Sequence, residues 1–150
     1  MKRKMVLSAA IVAGALIPVS LATGTPAAKS IKFTAALNAA QEKHPSPKGT
    51  KPGASGTFTA TLTGTTLKWT LTWKNLTGPA NQAHIHQGAK GVSGNVLVSL
   101  CPPGCKSPMS GKSVLTAPVL KLLKSGATYV NVHTNKNLNG EIRGQIVRAS

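Results

Sequence analysis

Between Gly56 and Trp73 the chain alternates polar and apolar residues with a period of two. Phe58, Ala60 and Leu62 fall on one side of the first run, with threonines on the other. Gly64-Thr65 has turn chemistry, and the alternation resumes with Leu67, Trp69, Leu71 and Trp73. Only a pleated strand puts every second side chain on one face; a helix would scatter these residues around its circumference. The stretch is therefore a β-hairpin with one buried face and one wet, threonine-rich face.

Short runs of the same kind recur along the chain. They are Ile31 to Leu37, Ala83 to Gln87, Asn95 to Leu100, Tyr129 to Thr134 and Gly140 to Arg148. Breaker-rich segments separate them: Asn38 to Ser55, Gln87 to Gly94 and Cys101 to Lys112 are expected loops. Val119 to Lys124 fits either one helical turn or a short edge strand. With seven or eight short strands and no convincing long helix, the expected fold is all-β. It is an antiparallel, Greek-key-like β-sandwich, with a barrel as the alternative. The single domain should run from residue 31 to 148.

The N-terminus does not belong to that domain. Met1-Lys2-Arg3-Lys4 is a basic start, and an apolar run follows from Met5 to about Leu21. Small residues at Ala22 complete a secretory signal peptide over residues 1–22, with a second candidate cleavage site as late as Ala27. No later apolar run is long enough to span a membrane. The expected location is extracellular or at the cell envelope.

Charge narrows the partners. The chain has a formal charge of +16, contains no Asp, and has only Glu42 and Glu141 as acids. Leader cleavage would remove three basic residues and no acidic one. Such a surface favours anionic cell-envelope polymers, acidic glycans or lipid head groups. The lysines are scattered singly and only five residues are aromatic. Both facts argue against nucleic-acid recognition, which relies on basic clusters and stacking platforms. Cys101 and Cys105 bracket Pro102-Pro103-Gly104. In an oxidising compartment this spacing reads as a local disulfide, and it is not the C-x-x-C of a redox motif.

Strand alternation then groups the chemistry-bearing residues. Ile85, Val130, Val132, Ile142 and Ile146 are the natural core residues of their strands. The opposite faces carry His84 and His86, then Tyr129, Asn131 and His133, then Glu141 and Arg143. Three neutral imidazoles suit Zn or Cu. His84, His86 and His133 are the candidate metal ligands, with Asn131, Glu141 and Arg143 as orienting or structural neighbours on the same polar face. The competing reading is a hydrogen-bonded histidine network that only ties turns to strands. No Ser-His-Asp triad exists without Asp, and no nucleophile motif appears. His44 sits in the proline-rich loop and is read as a solvated residue.

These segments resemble the CHRD domain, a module of the animal protein chordin and of many secreted microbial proteins. The matching pieces are Phe33-Thr34-Ala35-Ala36-Leu37 with Gln41-Glu42, Gly56-Thr57-Phe58, Ala83-His84-Ile85-His86-Gln87-Gly88 and Gly94-Asn95-Val96. The last piece runs from Tyr129-Val130-Asn131-Val132-His133-Thr134 to Gly140-Glu141-Ile142-Arg143-Gly144-Gln145-Ile146. The resemblance implies a secreted single-domain protein of the microbial type. A weaker similarity is to copper–zinc superoxide dismutase, an all-β sandwich with an H-x-H pair in its copper site. This chain lacks the zinc-site aspartate, so only a copper site is compatible with that likeness. The expected function is a non-enzymatic extracellular or cell-envelope binding module with a cationic surface. The alternative is a Cu- or Zn-binding protein, with dismutase-like redox activity, acting through His84, His86 and His133.

Overall fold

The computed structural model describes residues 28–43 and 47–150. The expected leader over residues 1–22 and the loop residue His44 lie outside them. Among the described residues nine strands form: β1 (Ser30–Asn38), β2 (Ser55–Thr63), β3 (Thr66–Lys74), β4 (Ala80–Gln87), β5 (Val96–Cys101), β6 (Met109–Val114), β7 (Thr128–Thr134), β8 (Ile142–Gln145) and β9 (Val147–Arg148). A 3-10 turn (Ala39–Gln41) follows β1, and one helix, α1 (Ala117–Lys124), precedes β7.

All strand pairings are antiparallel and belong to one sheet. The strand order is β5-β4-β7-β8-β1-β2-β3-β6, with β9 paired to β1. The two outer strands, β5 and β6, approach each other, so the sheet is a nearly closed, barrel-like wrap around one core. The all-β antiparallel class read from the sequence is the class observed. Inner faces pack across the core as in a sandwich, while the hydrogen-bonded path stays continuous.

Alternation accounts for the core. Phe33, Leu37, Phe58, Leu62, Leu67, Leu71, Ile85, Val130, Val132, Ile142 and Ile146 are all at most 2% exposed. Burying each large apolar side chain contributes about 1.5–3 kcal/mol against leaving it in water. The hairpin register pairs Phe58 with Leu71 and Leu62 with Leu67, as the sequence pattern requires. Asn75 takes a positive φ of 58° just after β3, a conformation that Asn tolerates better than most residues.

Three segments differ from the sequence reading. The expected loop Cys101–Lys112 contains the start of β6, whose residues alternate weakly because Gly111 takes an inward-facing place. Gly111 lies against the Trp69 ring, where a Cβ would overlap the indole. A large apolar residue cannot mark that strand, so its period was hidden. The ambiguous Val119–Lys124 segment is helical, started by Pro118 in the first turn and packed through Leu123. The last run is two strands, broken at Ile146, whose N–H bonds to Thr128 instead. Cys101 and Cys105 form the expected disulfide.

Candidate metal centre

The site forms on the outward face of β4, β7 and β8, with β7 in the middle. The β4–β7 register sets Gln82 opposite His133, His84 opposite Asn131 and His86 opposite Tyr129. The β7–β8 register sets Asn131 opposite Arg143. Directly opposite and diagonal neighbours on one sheet face lie within side-chain reach. His84 and His133 are diagonal, and their rings meet: Nδ1 of His84 is 3.2 Å from Nε2 of His133. The ring centroids of His84 and His86 are 5.4 Å apart, and those of His86 and His133 are 6.1 Å apart. One ring nitrogen from each of the three lies within 4.8 Å of the others.

Backbone carbonyls set the tautomers. His86 Nδ1–H donates to the Gly94 carbonyl at 2.9 Å, and His133 Nδ1–H donates to the Leu138 carbonyl at 2.8 Å. In each neutral ring this leaves Nε2 as a lone pair. His84 Nδ1–H then donates to the His133 lone pair, and an ion held by both nitrogens would take the place of that proton. His86 Nε2 is buried and makes no hydrogen bond of good geometry, although the Asn131 side chain lies near enough to act on the ring. Glu42 Oε1 and Asn131 Oδ1 share that condition, and all three residues line one pocket of about 380 Å³ with the histidines. Buried polar atoms without protein partners are costly, and in native folds they usually meet an ion, a ligand or water.

Burial dominates the electrostatics. It holds all three imidazoles below the ordinary histidine range, and the neighbouring ring charges add to the effect at His84 and His133. His133 is pushed down to about 4. The rings are therefore neutral at pH 7, the form that ligates metals. Burial pushes the Glu42 carboxyl up to about 7, against the opposing pull of the Arg143 charge.

A stack supports the histidines from one side. Tyr129 lies parallel to His86, with centroids 5.0 Å apart and an interplanar angle of 7°. The Arg143 guanidinium sits 3.4 Å from the Tyr129 ring centroid and donates to the Ala89 and Val92 carbonyls at 3.1 and 2.8 Å. The loop after β4 is thereby tied to the stack, and that loop carries Gly94, whose carbonyl orients His86.

Most of the residues read from the sequence meet here: His84, His86, His133, Asn131 and Arg143. Glu141 is directed elsewhere. Its carboxylate accepts from the Thr77 backbone N–H and hydroxyl at 2.7 and 2.6 Å, and from Thr134 and Asn137 at 2.6 and 3.2 Å. These bonds pin the turn between β7 and β8, and none comes from Arg143 or a histidine. Burial works to raise the Glu141 pKa, but the four bonds together hold it below the ordinary carboxylate range. Glu42, read as part of an exposed loop, takes the place beside the histidines instead. It comes back against the turn at Gly140, where φ is 124° and a Cβ would overlap the Glu42 carboxylate and the Asn131 amide. Periodicity carries no signal for such a loop residue. Its one mark was membership, with Gln41, in the segment resembling CHRD.

The CHRD domain model matches residues 33–146. The chain belongs to the CHRD domain family. The match spans every strand from most of β1 to β8 and includes the whole histidine face. Membership supports the reading of an extracellular binding module. No curated protein and no solved structure gives a significant match to this CHRD chain. No helix among the described residues is long and apolar enough to cross a membrane.

Proposed function

We propose that this CHRD domain is a secreted extracellular binding module that holds a Cu or Zn ion through His84, His86 and His133. One observation carries the reading: three imidazoles each bring a ring nitrogen within 4.8 Å of the others, and the buried His86 Nε2 makes no hydrogen bond of good geometry. Its ring is already oriented by a carbonyl on the far nitrogen, as is that of His133. This is the second-sphere arrangement that metal-ligating histidines use. An all-imidazole donor set suits borderline divalent ions and offers little to Ca or Mg. Three protein ligands leave a coordination position for water or an external donor. Glu42 supplies acidic character on the pocket wall, and the Arg143–Tyr129 stack holds His86 in place.

The test is metal content after loading the purified protein with Cu(II) or Zn(II) and removing excess. The expected result is one equivalent in the wild type and none in His84→Ala/His86→Ala. A folded wild-type protein that retains no metal overturns the proposal. Superoxide consumption by the Cu-loaded protein separates a redox centre from a binding site alone.

A further inference from the structure

A second candidate site lies on the outer face of β1, β2, β3 and β6 and shares no residue with the histidine pocket. There the sheet curves into a groove of about 750 Å³. Cross-strand register sorts its side chains into two parallel rows. One row reads Lys32, Thr61, Lys68, Lys112. The next reads Thr34, Thr59, Thr70, Ser110. Thr70 and Ser110 hydroxyls are 2.9 Å apart, which confirms that the second row shares one side of the sheet.

No side-chain carboxylate serves the lysine row as a counter-charge. The only acids of the chain are Glu42, beside the histidines, and Glu141, bound by Thr77, Thr134 and Asn137. Lys68 and Lys112 stand directly opposite each other, and like charges so placed destabilise a sheet. With strands about 4.8 Å apart, the three ammonium stems spread over roughly 14 Å in a line across the strands. The face thus repels itself, and an anion of matching length would relieve that repulsion.

We infer that this groove binds a linear acidic polysaccharide, whose carboxylates pair with Lys32, Lys68 and Lys112 while its hydroxyls bond the Thr59, Thr70 and Ser110 row. Both rows have a use in such a ligand: charge along the chain and hydroxyls between the charges. Nucleic acid fits less well, because Trp69 and Phe33 are buried beneath the face and offer no ring for stacking. A flat bilayer does not match a concave groove, and the large exposed apolar residues nearest it, Val114 of β6 and Val147 of β9, sit on the strands at its two edges rather than along it. The inference stands independently of the metal site.

Binding to immobilised polygalacturonate tests it. Lys32→Gln/Lys68→Gln/Lys112→Gln should weaken affinity about ten-fold or more and flatten the salt dependence. Lys106→Gln/Lys121→Gln/Lys124→Gln removes the same charge elsewhere and should change affinity less than about two-fold. Thr59→Val/Thr70→Val keeps every charge and should lower affinity for polygalacturonate but not for inorganic polyphosphate. His84→Ala/His86→Ala should bind as the wild type does. The inference is overturned if the wild type does not bind, if both lysine triples lose affinity equally, or if the valine variant binds unchanged. Equal or tighter binding to duplex DNA or anionic vesicles, lost in the same lysine triple, reassigns the groove and also overturns it.

Discussion

On β1, β2 and β3 the polar half of each alternation faces water; on β7 and at Arg143 of β8 the polar half is roofed over, while Gln82 and His84 of β4 are half-buried. Thr57, Thr59, Lys32 and Lys68 are exposed, as a hairpin with one wet face should be. Tyr129, Asn131, His133 and Arg143 occupy equivalent outward positions and are all buried. The strands are alike; the difference comes from the loops. Segments around Glu42, Gly94 and Leu138 fold back over β7 and close its outer face. The chain therefore has two interiors on the two sides of one sheet, one apolar and one polar. In the polar one each group must find a partner, and three atoms without a well-formed bond, on Glu42, His86 and Asn131, gather in the candidate centre.

The contrast can be broken by experiment, starting with metal. Saturating Cu or Zn at about a thousand times its Kd should raise unfolding free energy by about 4 kcal/mol. The lysine face offers no such site, so His84→Ala/His86→Ala should abolish the gain, read as the shift in urea midpoint. A gain that survives in this variant would place the metal elsewhere.

Next in size is Arg143→Ala. It orphans two loop carbonyls and unstacks Tyr129 in a buried setting, with an expected cost of about 3 kcal/mol. If denaturation shows a loss as small as that of an exposed lysine, the outer face of β7 is not a second interior.

Glu42 gives a smaller effect with a defined sign. Burial raises its pKa from 4.5 to about 7. The folded state thus binds the extra proton between these values, and this contribution is full below pH 4.5 and lost as pH rises through 7. Glu42→Gln should stabilise the fold above pH 7 by about 1–2 kcal/mol relative to wild type, and leave it unchanged near pH 4. Burial moves His133 the other way, from 6.5 to about 4. Its contribution is full above pH 6.5 and lost as pH falls through 4. Stability measured against pH in the metal-free protein checks both signs; a Glu42→Gln profile parallel to wild type would contradict the first.

The smallest expected effect is Lys68→Ala. It should move stability by less than about 0.5 kcal/mol, and in the stabilising direction, because it relieves repulsion with Lys112. A loss of about 1 kcal/mol or more, the scale of a buried contact, would mean that this face is also covered.

Much of this was readable from residue order. Period-two alternation located the hairpin, the core positions and the common side of His84, His86, Asn131, His133 and Arg143. It did so because a strand's side-chain direction depends only on parity. What it missed has a common cause. β6 was hidden because Gly111 replaces the expected apolar residue under Trp69. Parity puts Glu141 on the histidine face, yet it lies just before β8, where the turn chemistry of Thr134, Asn137 and Gly140 directs it to Thr77 instead. Parity says nothing of Glu42, because a loop residue has none, and a breaker-rich loop reads as solvated.

By itself, then, the sequence determined which side chains share a face and which are buried in the apolar core, since both follow from local geometry and hydrophobicity. Only the tertiary structure decided that one outward face is closed. It also decided that Gly94 and Leu138 set the histidine tautomers, and that Glu42 rather than Glu141 is their acidic neighbour. Those outcomes depend on where long loops land, and loop placement is set by contacts between residues far apart in the chain rather than by any local period.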